Sequence, residues 1–195
     1  MTLVRPSHAH LDAYRAALRR GWSADNLRGA AAASEELERI AADPDAFLAL
    51  ADDPEALGPP VTLPDGRQVQ RVPSLRRWMW DDAHGPADEA GFVGSIGLRW
   101  ARDGGALPPH VLGHIGYAVV PWQRRRGHAT RALALMLDVA RARGLAVVEI
   151  TTDPDNLPSQ RVITANGGVL VEPFDKGAAY GHAPGLRYRI GLAAS

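Results

Sequence analysis

Leu11, Tyr14 and Leu18 recur at helical spacing between Ser7 and Gly21, so the pattern predicts an amphipathic helix capped by Ser7 and stopped by Gly21. A short strand near Leu3-Val4 precedes it. A second helical region is expected over Ala24 to Ala42, with Leu37 and Ile40 on its apolar side, and a short turn of helix over Asp45 to Leu50 after Pro44. The character then changes. Pro54, Gly58, Pro59, Pro60, Pro64, Gly66 and Pro73 make Asp52 to Pro73 a long loop with a small hairpin. From Leu75 the period shortens to that of strands. Leu75 to Trp80 and Phe92 to Trp100 flank Ala83-His84-Gly85-Pro86 and are expected to pair as a hairpin. A turn at Arg102-Asp103-Gly104-Gly105 and the Pro108-Pro109 pair lead to a third strand, Leu112 to Val120.

Helical spacing returns from about Ala129 to Arg143. Ala129, Leu133, Met136, Leu137 and Ala140 form its apolar stripe, Arg131, Asp138 and Arg141 its wet side, and Gly144 its end. Ala146 to Thr152 reads as a buried strand. Asn156 or Ser159 caps a short helix closed by Asn166-Gly167-Gly168, and strands at Val169 to Phe174 and Leu186 to Leu192 follow. No internal repeat interrupts this order. It is that of one α/β domain over 1–195, with helices and a loop over 1–71 and a core over 72–192.

Charge and composition narrow the partners. The 22 basic and 22 acidic residues balance, so no whole-surface field favours nucleic acid or an anionic membrane. Lys176 is the one lysine among the cations. Cysteine is absent, which excludes disulfides, thiolate metal sites and a covalent thiol mechanism. No histidine or acidic cluster has the spacing of a metal site, and no metal is expected. No long apolar run or signal-like start occurs, and a cytoplasmic location is the expectation.

The chemistry concentrates at Val119-Val120-Pro121-Trp122-Gln123-Arg124-Arg125-Arg126-Gly127-His128-Ala129. An apolar strand runs into a basic turn, and an amphipathic helix follows at once. A helix start offers unpaired N–H groups and the positive end of its dipole, which attract phosphate. Gly127 admits a ligand close to the backbone, and arginines add charge-assisted hydrogen bonds. The run also has a plain reading as a solvated basic patch, but its strand–turn–helix setting favours a phosphate. Nucleic-acid binding through it is disfavoured, because the charge is local.

Arg124-Arg125-Arg126-Gly127-His128-Ala129 fits the Arg/Gln-x-x-Gly-x-Gly/Ala pattern of the GNAT N-acetyltransferases. Asp155-Asn156-Leu157-Pro158-Ser159 also falls where that superfamily places its asparagine. With Val72-Pro73-Ser74, Val93-Gly94-Ser95-Ile96-Gly97-Leu98-Arg99, Gly113-His114-Ile115-Gly116-Tyr117 and Asn166-Gly167-Gly168, the chain most resembles a group of predicted bacterial acetyltransferases. The resemblance spans about Val72 to Leu192. It implies a GNAT-like α/β fold, a mixed, mostly antiparallel twisted sheet flanked by helices, with splayed strands forming the cofactor cleft. It implies an acetyl-CoA-dependent transfer of an acetyl group directly to a primary amine, with no metal. Main-chain groups of Tyr117, Ala118, Val119 and Val120 would bond the pantetheine arm, and one N–H would polarise the thioester carbonyl. Arg124, Arg125, Arg126, Gly127, His128, Ala129 and Thr130 would cradle the pyrophosphate, and Asn156 and Ser159 would meet the arm near its reactive end.

An alkyl ammonium has a solution pKa near 10.4, so a base must act before the nitrogen attacks. His114, on one strand face with Gly116 and Ala118, stands near the family's usual base position and titrates in the right range. The alternative is a hydrogen-bonded histidine in the cleft wall. Glu149, mid-strand among apolar residues, is either a base acting through water or half of an ion pair. Tyr117 offers a hydroxyl near the thioester; its other role is core. Tyr180 and His182 are candidate acids or ordinary loop residues. Asp81 and Asp82 are placed to attract a cationic acceptor, or to finish a solvated turn. Trp22, Trp78, Trp80 and Trp100 are candidates for an acceptor pocket or for packing. The position of the family's usual tyrosine, four residues past Ser159, holds Ile163, which cannot donate a proton. This motivates a second reading, a non-catalytic acyl-CoA-binding or sensor domain. The expected partner is a small-molecule or peptide amine, with no nucleic acid or membrane, and a monomer or homodimer.

Overall fold

The computed structural model describes residues 1–81 and 91–192. In chain order the elements are β1 (Thr2–Val4), α1 (His8–Arg19), α2 (Ala30–Ala42), α3 (Pro44–Ala49), β2 (Asp52–Asp53), β3 (Val61–Thr62), β4 (Gln68–Val69), β5 (Ser74–Asp81), β6 (Gly91–Arg99), β7 (Ile115–Val119), α4 (His128–Ala142), β8 (Val147–Thr152), α5 (Leu157–Ala165), β9 (Val169–Asp175) and β10 (Pro184–Gly191). Strands β1, β5, β6 and β7 lie side by side in that order, with β2 also on β5. Two further sheets have the orders β8-β10-β9 and β3-β4. This is the mixed, mostly antiparallel α/β architecture that the sequence predicts. The expected turn Ala83-His84-Gly85-Pro86 and Asp82 lie outside the described residues.

The chain divides into two compact units. The first comprises Met1–Asp53, Leu75–Gly97 and Tyr117–Ala132. Its core is aromatic. Tyr14 stacks on Trp78 with centroids 4.5 Å apart, and the edge of Phe92 meets both Tyr14 and Trp22 at 5.2 Å. Leu11, Leu18, Ile40, Ala118 and Val120 close around them. Offset and edge-on pairs of this kind add to the plain burial of area. The Tyr14 hydroxyl donates to Glu36, and Arg76 approaches the same carboxylate at 3.5 Å. Trp22 and Trp78 are therefore packing residues, and Trp80 meets His10 edge-on at 4.4 Å.

Two start signals act differently from expectation. Ser7 occupies the N-cap position of α1 without a side-chain cap bond; its hydroxyl pairs with Nδ1 of His10 at 2.8 Å. The second helix begins at Ala30, not Ala24, because the Asp25 carboxylate accepts the N–H groups of Leu27 and Arg28 at 3.0 Å. That side-chain turn competes with helix, and Gly29 then turns at φ +49°. In α3 the cap is regular, with Asp43 accepting from the Ala46 N–H at 2.9 Å.

Strands β6 and β7 approach closely within this unit. A Cβ on Gly94 would stand 2.4 Å from the Ala118 carbonyl oxygen and 3.0 Å from Val119 Cα. Only a glycine fits there.

The second unit comprises Pro54–Ser74, Leu98–Gly116 and Leu133–Ser195. Leu133, Met136, Leu137 and Ala140 are buried along the predicted stripe of α4, while Asp138 and Arg141 are exposed and pair with each other. In the sheet of β8, β10 and β9 all pairing is antiparallel, with Glu149 opposite Arg189 and Thr151 opposite Arg187. Val148, Ile150, Tyr188 and Ile190 are buried, and so is Ile163 of α5. A Cβ on Gly168 would reach within 2.3 Å of Ile163 Cγ2, so the glycine pair after α5 lets the chain fold back over that side chain. On β9, at one end of this sheet, Val169, Leu170 and Val171 are exposed. The loop of prolines and glycines holds the expected small hairpin, β3 with β4.

Among the described residues no helix is long and apolar enough to cross a membrane.

Candidate active site

In the first unit, β7 ends at Val119 and the N–H of buried Val120 still donates to the Val93 carbonyl at 3.0 Å. Pro121–Gln123 make one tight helical turn, and Arg124 is extended. Arg125 then takes φ +63° and Gly127 φ +79°. A left-handed arginine is unusual, since its Cβ crowds the backbone. The turn tolerates it here so that α4 can begin at His128. The Gly127 carbonyl accepts from the Arg131 N–H at 3.1 Å, the first bond of the helix. Helix geometry aims the N–H groups of the first turn back toward Arg124–Gly127.

The side chains fit an anion. Arg125 and Arg126 are exposed, and neither has a carboxylate partner among the described residues. Arg124 leans back, its Nε donating to the Val119 carbonyl at 3.3 Å. A Cβ on Gly127 would meet nothing within 4 Å. His128 is buried, with Nδ1 4.0 Å from the Asp81 carboxylate. Asp81 is also 3.5 Å from the terminal ammonium of this unit.

The second unit holds His114 and Glu149 together. The His114 N–H donates to the Glu149 carbonyl at 2.7 Å, and the Glu149 N–H donates to His114 Nδ1 at 3.0 Å. A main-chain N–H can only donate, so Nδ1 must be the acceptor, and in the neutral ring the proton sits on Nε2. Burial, assisted by Arg99, pushes the His114 pKa below its usual value. Gly113 makes the approach possible: its Cβ would stand 2.9 Å from the Glu149 carbonyl oxygen.

The Glu149 carboxylate is clamped. Arg187 donates to one oxygen at 3.0 Å and Arg189 to the other at 2.8 Å. Burial pushes its pKa up, but the two guanidinium hydrogen bonds outweigh this and hold it below the usual glutamate value. Arg187 also meets Glu172 at 3.1 Å and lies over Phe174 at 4.4 Å. These partners were legible only in part. Arg187 and Arg189 alternate along a strand and so share a face, but the opposing strand could not be read from spacing.

Tyr180, His182 and Trp100 are committed elsewhere. The Tyr180 hydroxyl donates to the His110 carbonyl at 2.9 Å, and His182 Nδ1 pairs with Asp175 at 2.8 Å. Trp100 lies beneath the Arg143 guanidinium at 4.1 Å. Tyr117 is half-buried on β7. Asn156, not Ser159, caps α5: its side chain accepts from the Ser159 N–H at 3.2 Å.

A cavity of about 920 Å³ in this unit is lined by His114 and Glu149 together with Trp100, Arg143, Phe174 and Arg187. His114 and Glu149 therefore share one wall, as two catalytic candidates should, but in ground states that make both poor proton acceptors.

The acetyltransferase (GNAT) domain model matches residues 2–169. The chain belongs to the GNAT acetyltransferase family. Its fold is similar to that of a Bordetella pertussis protein assigned to the GNAT acetyltransferases, at 20% identity over 96% of this chain and 93% of that one, with a TM-score of 0.55. It is also similar to the RimL ribosomal L7/L12 alpha-N-protein acetyltransferase solved with coenzyme A, at 13% identity over 99% and 94% of the two chains, with a TM-score of 0.59. A match to a GNAT-family acetyltransferase from Bacillus anthracis, at 23% identity and a TM-score of 0.43, spans 54% of this chain and 62% of that one. No curated relative matched the chain.

Proposed function

We propose that the protein is an acetyl-CoA-dependent N-acetyltransferase that moves an acetyl group directly to a primary amine. The observation that carries this reading is the Arg124–Thr130 turn, which combines family membership with a built anion cradle. Two exposed arginines without a carboxylate partner among the described residues, one of them the left-handed Arg125, and an open Gly127 stand at the start of α4. Those residues fit a pyrophosphate. Arg124, Arg125 and Arg126 would supply charge, and the main chain of Gly127, His128, Ala129 and Thr130 would supply N–H donors. When bound, acetyl-CoA would supply the activated acetyl group. Tyr117, Ala118, Val119 and Val120 would bind its arm through main-chain groups. For Asn156 and Ser159 as cofactor contacts the proposal rests on the family pattern.

Among the catalytic candidates, His114 offers an Nε2–H donor rather than a free base, since Nδ1 is held by the Glu149 N–H. Glu149 is a weak proton acceptor while two arginines hold it. Tyr117 stays a candidate for protonating the departing thiolate. Ile163 is fully buried, so that position takes no part in proton transfer.

Calorimetric titration with acetyl-CoA, followed by thiol release with a mixed amine library, tests the reading. Binding with release is the expected result. No binding of acetyl-CoA would overturn the assignment of the Arg124–Thr130 turn.

A further inference from the structure

The cavity of the second unit carries a charge imbalance that acyl transfer does not require. Its lining contains four cations, Arg102, Arg143, Lys176 and Arg187, and two carboxylates, Glu149 and Asp175. Both carboxylates are already satisfied. Glu149 is held by Arg187 and Arg189, and Asp175 by the Gly177 N–H at 2.6 Å and by His182. Three of the cations are also opposed: Arg102 by Glu55, Lys176 by Asp153, and Arg187 by Glu149 and Glu172. Arg143 is the exception. Among the described residues it has no carboxylate partner, and its guanidinium lies 4.1 Å over Trp100.

Contact with an indole face restrains a guanidinium while leaving N–H groups available, so exposed Arg143 is a partly restrained donor. His114 adds a second donor on the same lining. Its Nδ1 accepts from the Glu149 N–H, which places the ring proton on Nε2. An ammonium entering this cavity finds every carboxylate already occupied, whereas an anion finds two donors. Half-buried Leu107, Val111 and Leu112, with the ring of Phe174, supply the apolar wall. A volume of about 920 Å³ holds a small organic molecule.

We propose that this cavity is a binding site for a carboxylate attached to a compact apolar or aromatic body, with Arg143 and the Nε2–H of His114 holding the carboxylate. The site goes beyond acyl-donor binding. Its test contains no acyl donor, so its failure and the failure of the acetyltransferase reading are separate results.

The test is calorimetric titration of the full chain with indole-3-acetate and with indole-3-acetamide, which differ in charge and little in shape. The acid is expected to bind at least about tenfold more tightly than the amide, a difference typical of one charge-assisted contact. Arg143→Met keeps an apolar stem over Trp100 and removes the charge, and it should abolish the preference. His114→Asn keeps an acceptor for the Glu149 N–H but lacks the Nε2–H, and it should weaken acid and amide alike, since either ligand's carbonyl oxygen accepts from that N–H. Near-UV circular dichroism verifies that each variant is folded. Equal affinity for acid and amide, no binding of the acid up to about 10 mM, or an undiminished preference in folded Arg143→Met would each overturn the proposal.

Discussion

His114 and Glu149 meet through two hydrogen bonds, one between their main chains and one from the Glu149 main chain to the His114 ring. The His114 N–H reaches the Glu149 carbonyl at 2.7 Å, and the Glu149 N–H ends on the imidazole Nδ1 at 3.0 Å. The ring thus supplies an acceptor to a strand N–H. His114→Leu should leave that N–H unmet and cost about 1–3 kcal/mol. His114→Asn should recover most of the loss, and urea denaturation of both variants measures the difference.

That bond also has a pH signature. Burial lowers the folded-state pKa of His114 below its usual 6.5. The neutral ring is favoured by folding, so the contribution is complete above about pH 6.5 and is lost as pH falls through the lower folded value. Stability measured between pH 7 and pH 5 should decline more in the wild type than in His114→Asn. Equal slopes would show that the ring is not the titrating group.

Glu149 acts at lower pH. Its folded pKa lies below the usual 4.5 because Arg189 and Arg187 outweigh burial. Its contribution is present above about pH 4.5 and disappears as pH falls through the folded value. Glu149→Gln should flatten the acid limb of the stability curve, an outcome read from denaturation midpoints across that range.

Close strand approach makes two glycines unequal. Gly94→Ala would drive a Cβ to 2.4 Å from the Ala118 carbonyl oxygen, while a Cβ on Gly97 lies 3.4 Å from the Leu75 carbonyl oxygen. The first change should cost about 1–3 kcal/mol or more and the second far less. Thermal melts of the two variants give the comparison.

Gly127 separates strain from occlusion. Alanine there meets nothing within 4 Å but must adopt φ +79°, at a cost of about 1–2 kcal/mol in stability. Gly127→Glu adds bulk and negative charge at the anion cradle and should abolish acetyl-CoA binding. Calorimetry on both variants tests this, and unchanged affinity in Gly127→Glu would place the cofactor elsewhere.

The strands and helices were legible wherever one periodicity ran unbroken. The stripe of Leu133, Met136, Leu137 and Ala140 is buried as the 3.6 period requires. Reading failed where a side chain competed with the backbone, as Asp25 does in delaying α2 to Ala30. The strand–turn–helix order around Arg124–Ala129 could be read because it is local in sequence. For His114 and Glu149 the sequence offered alternatives, a base or a hydrogen-bonded wall residue and a base or half of an ion pair. It could not choose, because the choice depends on residues 35 to 40 positions away: each other, Arg187 and Arg189. A strand's own sequence shows which residues share a face but not what faces them.

The outer strand β9 bears on how the protein behaves at high concentration. It presents Val169, Leu170 and Val171 to solvent at the end of its sheet. Such an edge invites another strand unless charge keeps copies apart. The chain has no net charge near neutrality, with a pI of about 7.1. Colloidal repulsion therefore vanishes in ordinary neutral buffers, and solubility should pass through its minimum there. A single lysine in place of Leu170, or a working pH a unit or more from 7.1, adds repulsion at the apolar stretch of this edge.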